Sequence, residues 1–246
     1  MAQLTAEPTA PEARLSRRRL VLVSLGIGAL LAYLWSFHLA DDLIGTNGTS
    51  AIVGYDAGKT SLTGAFTGAV FAVASGFAGS FTACNLAAFG VVGPLAERSS
   101  AEAPDRVRQG LTHIAWVAAG AVLVAAVYGA VGASIGSEIP QLSKGTVGAY
   151  PESLLQSTVI FGLVGCAFVA LGLGTVGLIP DPLAQVGVRH PRVPLIVLGG
   201  LIGAFLIGRP FPLFVKLFGY AAERHQALYG ALVFLLQILG NMLLVA

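Results

Sequence analysis

Two long apolar stretches of this 246-residue chain are each broken by a polar, helix-breaking run. One is Gly79-Ser80-Phe81-Thr82-Ala83-Cys84-Asn85, and the other is Arg209-Pro210-Phe211-Pro212 through Lys216. Such a set, with its thiol, hydroxyls, amide and two cations, could handle a thiol partner or line a route for a small ion or solute. Cys84 is the candidate catalytic thiol. Ser80, Thr82 and Asn85 surround it and can hydrogen-bond to freed backbone groups or to a ligand. A reactive Cys84 must be held as a thiolate by a helix N-terminus or a cation, and Arg209 and Lys216 are the cations at hand. Irregular or charged backbone at membrane depth is costly unless it is buried in protein or lines a cavity. Two interrupted segments in matching halves therefore point to a membrane site. The competing reading is that the polar groups mend a kink and that Lys216 snorkels to an interface.

The composition places these segments in a bilayer. Hydrophobic residues make up 55% of the chain and charged residues only 11%, with a mean hydropathy of +0.80. A soluble domain carries about a quarter charged residues. The net charge of +2 comes from basic residues clustered in particular loops, which gives no footprint for nucleic acid.

Six apolar stretches approach the roughly 20 helical residues needed to span about 30 Å of hydrocarbon. They lie near 19–39, 62–95, 111–135, 154–179, 194–221 and 227–246. The second and fifth are overlong, so each is expected to be tilted, kinked or broken. Arg14, Arg17, Arg18, Arg19, Arg98, Arg106, Arg108, Arg189 and Arg192 fall in one set of loops. Lys59, Lys144 and Arg224 fall in the alternate set. The basic set lies inside, which predicts two cytoplasmic termini. Residues 1–18, with Pro8 and Pro11, are expected to form a disordered tail. The apolar run after Arg17-Arg18-Arg19 is longer than a signal-peptide core and shows no clear small-x-small cleavage site, so 19–39 reads as a retained helix.

CNLAAFGVVGPLAERSS, from Cys84, can be laid over PLFVKLFGYAAERHQ, from Pro212. Phe89-Gly90 then matches Phe218-Gly219, and Ala96-Glu97-Arg98 falls near Ala222-Glu223-Arg224. The two segments cross in opposite directions in this topology, so the repeat is inverted, as in many transporters.

GFAGSFTACNLAAFGVVGPL resembles the first membrane helix of the CcdA/DsbD membrane-domain family, which carries Ser-Phe, a small residue, Pro-Cys and a downstream Pro. IGRPFPLFVKLFGYA, followed by ALYGALVFLLQILGN, resembles that family's fourth and fifth helices. The resemblance covers roughly residues 62–246. It implies an all-α, polytopic, inverted-repeat bundle of about six transmembrane helices, with an extra helix at 19–39, in a bacterial inner membrane. It also implies a thiol-disulfide role in passing reductant from a thioredoxin-like partner, in some members for cytochrome c maturation. This chain departs from the pattern: Ala83 replaces the Pro before Cys84, and no Cys stands around Pro210-Phe211-Pro212. The remaining thiol, Cys166 in GLVGCAFVALG, reads as a small packing residue, with pairing to Cys84 left open. The family starts at the Cys-bearing helix and has six, whereas five follow residue 62 here; residues 19–39 are expected to fill the vacant place.

Two function classes follow. The first is a thiol-handling membrane protein working through Cys84. The second is a small-ion or small-solute transporter on the same scaffold, lined by Ser80, Thr82, Cys84, Asn85, Arg209, Pro210, Pro212 and Lys216. A non-catalytic assembly subunit is a third reading. No sequence feature names a cofactor or a metal site. Gly54-Tyr55-Asp56-Ala57-Gly58-Lys59-Thr60 has one residue too few between its glycines for a phosphate-binding loop. His38 with Asp41 and Asp42 reads as a solvated helix end. Gln237 and Asn241, one turn apart in the last span, are expected to face the interior and hydrogen-bond between helices.

Overall fold

The computed structural model describes residues 10–34, 46–80, 103–143, 145–180, 183–208 and 212–242. The chain is mostly helical. In order the helices are α1 (Ala10–Leu34), α2 (Asn47–Val53), α3 (Ala65–Gly79), α4 (Ala103–Ile135), α5 (Glu152–Val176), α6 (Ala184–Arg189), α7 (Val193–Gly208), α8 (Pro212–Glu223) and α9 (Ala227–Met242). A short 3-10 turn, Gly136–Glu138, ends α4. A two-residue hairpin pairs Thr146 with Pro151 and Val147 with Tyr150 ahead of α5. All six apolar stretches contain helix, but among the described residues only Gly110–Glu138 and Glu152–Gly174 are long and apolar enough by themselves to cross a membrane. Val193–Gly208 with Leu213–Glu223 makes a third if the pair is counted as one span, bent by 84°.

Glycines set how closely the helices approach. A Cβ on Gly76 of α3 would sit 2.1 Å from the Gln237 carbonyl oxygen, and one on Gly240 of α9 would sit 2.4 Å from that of Val73. Gly129 of α4 and Gly230 of α9 meet backbone to backbone in the same way; across the α4–α7 contact Gly120 lies against the Ile196 backbone and Gly199 against that of Val117. Lipid gives no hydrophobic drive between helices, so close backbone contact through small residues is how they associate.

The same contacts fix direction. Ala65 meets Tyr229 and Ser80 meets Asn241, so α3 and α9 run parallel. Gly230 lies against both Gly129 and Ala133 while Phe234 reaches Gly129, so α4 runs against α9. Gly120 faces Ile196 and Val124 faces Gly203, so α7 runs with α4. The start of α5, at Gln156 and Ile160, lies against the end of α7, at Ile207 and Gly208, and Phe168 further along α5 stacks on Phe205 further back on α7, so α5 runs against α7. These directions match the alternating order expected of the spans.

The core is aromatic where α8 enters it. Phe214, Phe218, Phe234 and Tyr128 form a cluster with ring centroids 5.3 to 6.0 Å apart. α8 buries Leu213, Phe214, Leu217, Phe218 and Ala221 along one face.

Two expectations need correction. Helix α1 starts at Ala10, inside the expected disordered tail; Pro11 sits in its first turn, where the missing N–H costs nothing. Of the expected 19–39 helix, the stretch from Arg19 to Leu30 has every side chain exposed except the half-buried Val21, so that stretch does not fill a vacant place among the described helices.

Candidate functional site

Helix α3 ends inside the protein beside the last described turn of α9. Ser80, the residue after α3, is fully buried. Its hydroxyl donates to the Asn241 carbonyl at 3.0 Å and lies 3.4 Å from the Gly76 carbonyl. The depth of this junction follows from register on α4. Gly230 lies against Gly129 and Ala133, so at 1.5 Å per residue Asn241 comes level with about residue 120 of α4. That is near the middle of α4, about 15 Å in from Gly110.

Gln237 and Asn241 point inward from α9, with 1% and 3% of their surface exposed. Their expected burial is met, but Gln237 Oε1 and Asn241 Oδ1 have no hydrogen-bond partner. Polar groups buried in proteins are nearly always paired, and an unpaired one costs about 1–3 kcal/mol. An orphan of this kind therefore calls for an explanation.

Among the described residues one other buried side-chain acceptor lacks a partner, Gln156 Oε1 of α5. It lies at the second helix break. The Gln156 amide donates to the Ile207 carbonyl at 2.8 Å, satisfying one of the last carbonyls of α7 just before Arg209. The Tyr128 hydroxyl donates to Gln141 Oε1, and Gln156 lies beside that hydroxyl. This second polar cluster stands level with Tyr128, about 12 Å along α4 from the α3–α9 junction.

Lys216 serves elsewhere. Its ammonium donates to the carbonyls of Ala57, at 2.5 Å, and of Thr60, and stands 5.6 Å from the centroid of Phe71. It ties α8 to the loop that leads into α3, at the opposite end of α3 from Ser80. The structure does not bring Lys216 and Ser80 together. Nearby, Tyr220 accepts from the Gly64 amide at 3.1 Å and Tyr229 donates to the Ala65 carbonyl at 3.2 Å, so the start of α3 is held by aromatic hydroxyls.

Pro212 opens α8, a position where its missing amide hydrogen is tolerated. Thr82, Cys84, Asn85, Arg209 and Pro210 lie outside the described residues. Cys166 is exposed on α5, and a Cβ on neighbouring Gly162 or Gly165 would meet nothing within 4 Å. It is not the interhelical packing residue that its surroundings suggested. In the 54–60 loop the amides of Gly58 and Lys59 donate to Asp56 Oδ1 at 3.0 and 3.2 Å, and Lys59 pairs with Asp56 at 3.4 Å. Donors that a phosphate would need are thus used within the turn. No cluster of three His, Cys, Asp or Glu side chains suited to a metal occurs among the described residues.

Sequence reasoning overlooked Gln156. Its signal was slight: a single amide early in the apolar run of α5, directly between Leu154-Leu155 and Ser157.

No protein-family model matches the chain, and neither the curated proteins nor the solved structures yield a match.

Proposed function

We propose that this chain is a multi-pass membrane protein with a CcdA/DsbD-like, inverted-repeat arrangement of about six spans, which passes a small ion or solute between its two broken helices. The observation that carries this reading is the placing of the unpartnered buried acceptors. Gln237 and Asn241 sit at the end of α3, and Gln156 sits at the end of α7. Helix breaks with unpaired polar groups, two stations about 12 Å apart along α4, suit a species that exchanges its water shell for protein oxygens. Arg209, the next residue in the sequence after α7, is the candidate cation for setting selectivity at the second station. The alternating helix directions support the six-span topology, and the arginine bias of the loops supports cytoplasmic termini in a bacterial inner membrane.

The test needs no knowledge of the solute. In a Cys84→Ala, Cys166→Ala background, Gln156→Cys, Gln237→Cys and Asn241→Cys are each treated with a membrane-impermeant thiosulfonate in sealed vesicles. A water-connected route gives labelling at all three. Labelling no faster than that of a cysteine placed at buried Ala125 would sink the transport reading.

A second reading, thiol handling through Cys84 with a thioredoxin-like or other thiol protein, rests on Ser80. Because Ser80 is pinned to α9, the chain leaves for Cys84 from a fixed point four residues away. With Cys166 exposed on another helix, the second thiol would come from the partner. Mass-tagged maleimide alkylation of Cys84 in a Cys166→Ala chain, before and after reduction, tests this: protection that disappears on reduction supports exchange, and a thiol that is always free excludes it.

A further inference from the structure

The junction of α3 and α9 has the electrostatics of a cation site. The C-terminal end of α3 meets the parallel helix α9 at the Ser80–Asn241 hydrogen bond. Such an end carries about −0.5 elementary charge. Neither helix has a basic residue in its last turn. Exposed helix ends would be screened by water, but Ser80 is 0% and Asn241 3% exposed. Into this negative, buried corner are added two side-chain oxygens with no donor, Gln237 Oε1 and Asn241 Oδ1. The Ser80 oxygen has its proton engaged and its lone pairs left to accept.

We propose that this junction binds one dehydrated monovalent cation of sodium or potassium size, with Gln237 Oε1, Asn241 Oδ1 and Ser80 Oγ among its ligands. The donor set decides the class. Neutral oxygens and helix-end carbonyls match hard alkali cations, whereas zinc or copper would call for imidazole or thiolate. One helix end and neutral oxygens, without a carboxylate, suit a single positive charge and leave a divalent ion undercompensated. Discontinuous helix ends coordinating alkali ions at mid-membrane are a known solution to this problem. The assignment deepens the transport reading and rests on it for its role, but binding itself is testable separately.

The test uses the full chain in lipid nanodiscs. The thermal unfolding midpoint is followed by tryptophan fluorescence against rising NaCl, KCl or choline chloride at constant total ionic strength. A ligand that binds only the folded state raises the midpoint with its concentration. The proposal expects a saturable rise with sodium or potassium and none with choline. Gln237→Leu and Asn241→Leu should each move the half-saturating concentration up at least tenfold, while Ser134→Ala, at an exposed position on α4, leaves it in place. Should the leucine variants fail to fold, Asn241→Asp keeps the test open, because a carboxylate there should lower the half-saturating concentration. Identical curves in all three salts, or leucine variants that saturate like the unaltered chain, overturn the proposal. If Gln237→Cys stays unlabelled while the unaltered chain has a cation-dependent midpoint, solute passage is rejected and the cation kept; if Gln237→Cys is labelled while the unaltered chain is indifferent to salt, the reverse holds.

Discussion

The Ser80 hydroxyl lies 3.0 Å from the Asn241 carbonyl, 161 residues further along the chain, and this bond joins the buried end of α3 to the parallel helix α9. It gives Ser80 a structural role whichever species the protein handles. Ser80→Ala removes a buried bond and is expected to cost about 1–2 kcal/mol, measured as a lower unfolding midpoint in nanodiscs. Ser80→Thr, which keeps the hydroxyl but adds a methyl to a fully buried site, should fall below the native chain through crowding.

Close backbone approach makes Gly76 and Gly240 the most sensitive positions of the α3–α9 contact. A Cβ would come within 2.1 Å of the Gln237 oxygen in one case and 2.4 Å of the Val73 oxygen in the other. Gly76→Val should force the helices apart and destabilise the fold by about 3 kcal/mol. Gly162→Val, where a Cβ meets nothing within 4 Å, should be nearly neutral. Comparing their thermal midpoints checks both.

Lys216→Met frees the carbonyls of Ala57 and Thr60. The expected effect is local: faster hydrogen exchange from residue 57 to the start of α3, with little change at Gly129 or Gly230. Uniformly faster exchange over the whole bundle would show that Lys216 supports the fold globally instead.

Desolvation pushes the Asp56 carboxyl up, but the amides of Lys59 and Gly58 and the Lys59 ammonium outweigh it and hold the group below its ordinary 3.8. A carboxylate whose folded pKa is depressed lends stability that is present above the unfolded value and lost as pH falls through the folded one. The Asp56 turn should therefore persist at neutral pH and open only below pH 3.8, read from the Gly58 and Lys59 amide resonances. In Asp56→Asn this acid step should disappear.

The sequence made the helices legible because apolar runs of membrane length have few alternatives. It located α5 and α9 at their N-termini to within two residues and foresaw the break in the 194–221 stretch, where Arg209-Pro210-Phe211-Pro212 cannot continue a helix. Pairing was not legible. Nothing in the run around Gly76 says that it meets Gln237, since that depends on which helices pack and at what register. The same holds for Lys216, whose partners lie 156 and 159 residues away. Gln237 and Asn241 were visible as polar residues on one face. That their oxygens are left without donors emerges only when the end of α3 arrives beside them. Gln156 was hidden because a single amide barely alters the apolar character of α5, and its importance comes from the Ile207 carbonyl that it caps.

The most direct measurement is uptake of radioactive sodium or rubidium into proteoliposomes containing the full chain, beside protein-free liposomes and vesicles carrying Asn241→Leu or Gln156→Leu. A route through the two helix breaks predicts uptake of at least one cation well above protein-free liposomes, cut at least tenfold by either substitution. Uptake equal to that of protein-free liposomes, or undiminished in both variants, would contradict it.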